Sequence, residues 1–160
     1  MNPLIATLSI GWMAVLMTAC GSSVGGDETR AIVSLHAIGN AQMAYASGCG
    51  NGGYATSLRV LGEPPPGGTD AYLDPSLTQS EKPEKHGYRF TLSAGAKSKA
   101  GPKDCHGHPT DQTFYATATP LKFGGTGTRS FATNQDVTVW QISSSAAPTE
   151  PFGAPAYHVQ

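Results

Sequence analysis

The chain has 160 residues, enough for one domain with extra segments and too few for two full ones. Ten basic against 11 acidic residues give a net charge of -1 with no basic tract, which excludes the electrostatic footprint of a nucleic-acid binder. Charged residues make up only 13%, while 20 Gly and 12 Pro describe a loop-rich, β-leaning chain unlike a typical cytosolic enzyme.

Pro3 to Met17 is an apolar run broken only by Thr7, Ser9 and Gly11, and the first charged side chain is Asp27. The run is short of the roughly 20 residues of a membrane span and matches the apolar core of a secretory signal. Small residues Thr18 and Ala19 precede Cys20, and Gly-Ser-Ser-Val-Gly-Gly follows. This junction resembles a bacterial lipoprotein signal, in which residues 1–19 are removed and Cys20 carries the lipid. Met17 stands where such signals usually have Leu, with Leu16 adjacent, and no Lys or Arg precedes the run. An ordinary cleaved signal and a retained span are the competing readings. Gly21 after the cysteine, instead of Asp, points by analogy to outer-membrane delivery.

Three cysteines in an exported chain leave one unpaired. If Cys20 is consumed by lipid, Cys49 and Cys105 are left as an even pair that an oxidising compartment would join. The alternative is two buried reduced thiols.

Residues 20–26 read as a short tether. Asp27 can cap a helix over Glu28 to Ser47, in which Ala31, Ile32, Leu35, Ile38, Gly39, Gln42, Met43, Tyr45 and Ala46 share one arc. Ser34, His36, Ala37 and Asn40 face away. Gly48 and the glycines after it are expected to end the helix in a left-handed conformation. Tyr54 to Gly62 reads as a helical turn with Leu58 and Leu61 inward. The Pro-Pro-Pro-Gly-Gly stretch from Pro64 forbids a regular element, and Ala71 to Gln79 suits another turn.

The β-half begins at Gly87. Tyr88, Phe90 and Leu92 alternate with Arg89, Thr91 and Ser93, as in a strand with one buried face. Thr113 to Thr119 is rich in β-branched and aromatic residues. Thr128 to Thr133 and Val137 to Ile142 flank Asn134, Gln135 and Asp136 as a closing hairpin. Ala94 to Asp111 is a long polar loop that Cys105 would restrain, and residues 143–160 read as a disordered tail. The expected architecture is α+β: an N-terminal amphipathic helix packed on a small antiparallel sheet of about four strands, over residues 27–142.

The stretches Glu28 to Ser47, Gly48 to Gly62, His86 to Gly95 and Phe114 to Gln141 together resemble the globular head of bacterial type IV pilin-like proteins and pseudopilins. That resemblance covers roughly 115 of the 160 residues. It implies a helix-on-sheet head and a place beside pilus or secretion machinery. The basic leader, the processing site and the long apolar half-helix of a true pilin are missing from this sequence, so a filament-subunit role does not carry over. The implied arrangement is a pilin-type head on a lipid anchor.

The most reactive stretch is Lys103 to Asp111, where Asp104, Cys105, His106, His108 and Asp111 fall within eight residues of one another. These ligand types suit zinc or copper, but there is no second spaced ligand pair. Asp104, His106 and His108 are therefore candidates for a secondary reading, an exported ligand- or metal-binding module. Cys105 as a nucleophile would need a free thiol and a spatial base. Gly124 to Thr128 lacks the Lys of a phosphate-cradling loop. His36 and His86 are isolated, and Trp140 suits a core or edge position. The leading expectation is a non-enzymatic lipoprotein without cofactor, held by lipid in the bacterial envelope, with its head contacting other envelope, pilus or secretion proteins.

Overall fold

The computed structural model describes residues 23–160, so the signal segment, Cys20 and the start of the tether lie outside the described residues. Helix α1 spans Val24–Ser47, 24 residues, or about 36 Å at 1.5 Å per residue. It begins earlier than expected. Ser23 is the N-cap, with extended backbone and its Oγ accepting the Gly26 amide at 3.2 Å. Residues 24–26, assigned to the tether by sequence, are the first turn, where the cap and Asp27 offset the poor helix propensity of Gly25 and Gly26.

Ala31, Leu35, Ile38, Gln42 and Tyr45 form the buried stripe. Two positions at its margins differ from expectation. Ser34 is buried, its hydroxyl bonded to the Arg30 carbonyl at 2.9 Å, and Met43 is exposed. The helix end also differs: Gly48 has φ -100°, and the left-handed residues are Asn51 and Gly52, at φ 52° and 90°. The last carbonyls are covered by the amides of Gly48 and Gly50, and Gly52 reaches back to Ala46 at 2.9 Å.

The strands are β1 (Tyr54–Ala55), β2 (Glu84–Lys85), β3 (Tyr88–Ala94), β4 (Thr110–Asp111), β5 (Phe114–Pro120), β6 (Ser130–Asn134), β7 (Trp140–Ile142) and β8 (Tyr157–His158). β1 and β4 make a two-stranded sheet, and the others a six-stranded antiparallel sheet in the order β2-β3-β5-β6-β7-β8. The expected α+β class holds, but the count of about four strands is corrected. β3, β5, β6 and β7 are those four; β2, β8 and the β1-β4 pair are two residues each, too short to leave an alternation in the sequence.

The sheet's inner face contributes Tyr88, Phe90, Phe114, Ala116, Ala118 and Phe131 to the core under α1. Each buried Phe or Leu stabilises by roughly 1.5–3 kcal/mol. A 3-10 turn at Val60–Gly62 and helix α2 at Pro75–Thr78 close the core's flank with Leu61 and Leu77, beside the buried Leu58. Gly39 lets the β6-β7 turn approach α1: a methyl there would meet Val137 Cγ1 at 3.0 Å. Among the described residues no helix is long and apolar enough to cross a membrane.

Residues 143–160, read from sequence as a disordered tail, form a strap across the opposite face of the sheet. The hydroxyls of Ser130 and Tyr115 donate to the carbonyls of Ser144 and Pro148 at 2.6 and 2.5 Å. Glu150 accepts from the Ala96 amide and the Asn134 side chain at 2.6 and 2.8 Å, and Phe152 stacks on Trp140 with centroids 5.4 Å apart. β8 then extends the sheet edge. The segment buries little apolar area and is held chiefly by hydrogen bonds to long-range partners, which composition does not reveal.

Candidate functional site

The reactive stretch is brought to the C-terminal end of α1. Cys49 and Cys105 form a disulfide with Cα atoms 4.8 Å apart, and the Cys105 amide donates to the Cys49 carbonyl at 2.8 Å. Cys49 is buried against the helix end, while Cys105 is exposed. The bridge closes a sequence separation of 56 residues and pins the long β3-β5 connection to the helix. Asn51 adds a side-chain bond to the Lys103 carbonyl at 2.9 Å.

Asp104 organises this tip. Its Oδ1 accepts the amides of His106 and His108 at 2.9 and 2.7 Å, an Asx turn that winds the loop around the carboxylate. Its Oδ2 accepts the Tyr45 hydroxyl at 2.7 Å and faces His108 Nδ1 at 3.2 Å. Burial pushes the Asp104 carboxyl up, but the Tyr45 hydroxyl, the two amides and the His108 ring outweigh it and hold the group below its ordinary range. Tyr45 is pushed the other way, first by burial and then by its bond to Asp104. His106 Nε2 lies 3.0 Å from the Pro64 carbonyl, and His108 Nδ1 also stands 3.8 Å from Glu63, so both rings touch the proline-rich loop. Asp111 does not join the cluster; it pairs with Tyr54 in the β1-β4 ladder.

The metal reading meets a specific obstacle here. Ligand atoms of Cys49, Cys105 and His106 lie within 4.8 Å of one another, but both sulfurs are spent in the disulfide. Both Asp104 oxygens already accept hydrogen bonds, so the donor set that zinc or copper needs does not converge. The same bond removes Cys105 as a nucleophile. His36 and His86 lie exposed and apart from the tip. What the arrangement provides is a rigid exposed knob of Cys105, His106 and Gly107.

Three features escape sequence reasoning. Tyr45 reads as one more stripe residue, and nothing local announces its bond to a carboxylate 59 positions away. At the other end of α1, Glu28 accepts from the Thr128 amide at 2.7 Å and from Arg129 Nη2 and Nε at 2.7 and 2.9 Å. Burial raises the Glu28 carboxyl, but the Thr128 amide, the Arg129 guanidinium and the Thr128 hydroxyl together bring it below its usual value. The third is a groove of about 360 Å³ between the strap and the β6-β7 turn, lined by Lys97, Gln135, Asp136, Trp140, Glu150 and Phe152.

Comparison with family models, curated proteins and solved structures finds no match to this chain.

Proposed function

We propose that this is a non-enzymatic lipoprotein of the bacterial envelope, anchored through acylated Cys20, whose pilin-type head works by contact with other proteins. The observation that carries the reading is the Cys49–Cys105 disulfide. It uses two of the three cysteines, and the third stands behind an apolar run at a lipoprotein-like junction. The helix-on-sheet arrangement supports the pilin-type comparison. The placement of the stapled tip at the far end of a helix about 36 Å long, away from the segment that follows Cys20, supports a contact role. Pilus or type II secretion components are the partners that the resemblance implies.

Two measurements test this. Intact mass of the membrane-extracted protein should show loss of residues 1–19, added acyl chains and two hydrogens fewer than the dithiol form. Cys20→Ala should leave the detergent phase, and retention there would sink the anchor. For the contact role, a photo-crosslinker at His106 should give adducts with pilus or secretion proteins in intact cells; silence from the tip opposes it.

A further inference from the structure

The end of the molecule where α1 begins gathers several chain segments. β5 delivers the chain there and β6 leaves it, so loop residues 121–129 lie at that end, with the β2-β3 turn and the start of β8. The loop is fixed to the second turn of α1: Thr128 bonds Glu28 through its amide and hydroxyl at 2.7 and 2.9 Å. The Leu121 amide bonds the Gly87 carbonyl at 2.9 Å, and a methyl on Gly87 would stand 2.8 Å from Thr126 Cβ and 3.5 Å from Asp27 Oδ2. Helix turn, hairpin turn and loop therefore meet.

Five large apolar side chains stand exposed among the described residues. Val33 and Met43 are on α1, and the other three, Leu121, Phe123 and Tyr157, are at this end with 42%, 48% and 51% of their surface free. Lys122 lies between the first two and is exposed as well. Exposed apolar side chains scattered singly are ordinary, whereas several gathered at one end of a molecule mark a contact surface.

We propose that this end is a second membrane contact, in which Leu121 and Phe123 enter the interfacial layer of a phospholipid bilayer, Tyr157 sits at headgroup level and Lys122 meets anionic headgroups. The inference rests on the lipid-anchor reading. Two residues, Gly21 and Ser22, separate Cys20 from the Ser23 cap, three peptide steps that reach at most about 11 Å, so an acylated Cys20 holds the start of α1 and the loop fixed to it beside the bilayer. An apolar-basic-apolar triplet with a Tyr at the same end of the sheet is chemistry that suits that layer. A short tether also raises the local concentration so far that individually weak insertions suffice.

The test uses the full lipidated chain in vesicles of phosphatidylethanolamine and phosphatidylglycerol, with or without bromine on the acyl chains near the headgroup. Phe123→Trp is compared with Met43→Trp, which lies near the opposite end of α1. The added emission of Phe123→Trp should fall by at least half with brominated lipid, and that of Met43→Trp by less than a tenth. Adding Lys122→Glu to Phe123→Trp should shift the inserted-to-lifted ratio toward lifted by about fivefold when anionic lipid is present. Intact mass on the same sample separates the failures. Acylated Phe123→Trp protein whose added emission is not quenched overturns the membrane contact alone. Unacylated Cys20 overturns the anchor and this contact together.

Discussion

The side chain of Asp104 has no exposed surface, yet the group stays ionised because hydrogens from Tyr45, His106 and His108 converge on it. Removing one donor leaves a buried charge short of a partner. Tyr45→Phe is expected to cost about 1–3 kcal/mol by urea unfolding at neutral pH, with the ring packing retained. Glu28→Gln breaks a carboxylate-guanidinium pair that Arg129 holds from a partly exposed position, and an expected loss of about 2 kcal/mol allows for that screening. Both carboxyls lie below their ordinary values in the folded state. Their stabilisation is therefore complete above the usual carboxylate range, near pH 4.5, and is lost as pH falls through the depressed folded values. Unfolding free energy measured from pH 7 downward should stay level and then fall in acid. In Glu28→Gln that acid limb should be shallower, because one of the contributing protons is gone. Tyr45 acts with the opposite sign: its raised value keeps its contribution intact below about pH 10 and lets it go as pH rises beyond that.

At the scale of elements, the disulfide is the one covalent tie between the end of α1 and the long β3-β5 connection, beside the hydrogen bonds of Asn51 and Tyr45 to the same loop. By the chain-entropy account, closing a loop of that size stabilises by roughly 4 kcal/mol. Replacing both Cys49 and Cys105 by Ser should lower urea-measured stability by about that amount, and a reducing agent should do the same to the natural chain. The elements that are legible in the sequence are those whose side chains alternate over enough positions. α1 repeats its stripe from Ala31 to Tyr45, about four turns, Tyr88 and Phe90 alternate with exposed or half-buried neighbours, and β5 is marked by its β-branched and aromatic residues although Thr117 is buried as well, so helix and central strands can be read directly. β2 and β8 offer two residues each, and the strap is held by Glu150 and Phe152 reaching partners that precede them by many positions. At the tip, the sequence puts Asp104, Cys105, His106 and His108 together and offers metal chemistry only as a secondary reading. The decisive atom is the Tyr45 hydroxyl, which arrives from a helix turn with no local signal. Glu28 and Arg129 are 101 positions apart, and their pairing follows only once the sheet has placed β6 beside the start of α1.

For the whole molecule, the two ends of α1 have different chemistry. One end carries the disulfide and the Asp104 turn, and the other carries the Glu28 network beside exposed Leu121 and Phe123. A protein that captured zinc or copper through the tip would have to surrender that turn. Calorimetry on the oxidised protein with either ion at micromolar concentration is expected to show no binding heat, and a saturable signal lost in His106→Ala would restore the metal-binding reading. The fastening of α1 at both ends also has a mechanical consequence. If a partner grips the tip while the lipid holds the start of the chain, tension runs parallel to the helix axis. The Glu28 ties, the packed stripe and the sulfur bridge then bear load together in shear and are not peeled apart one after another. A head built this way would yield abruptly at a high force, and its weakest link under traction would be the grip of the acyl chains on the membrane.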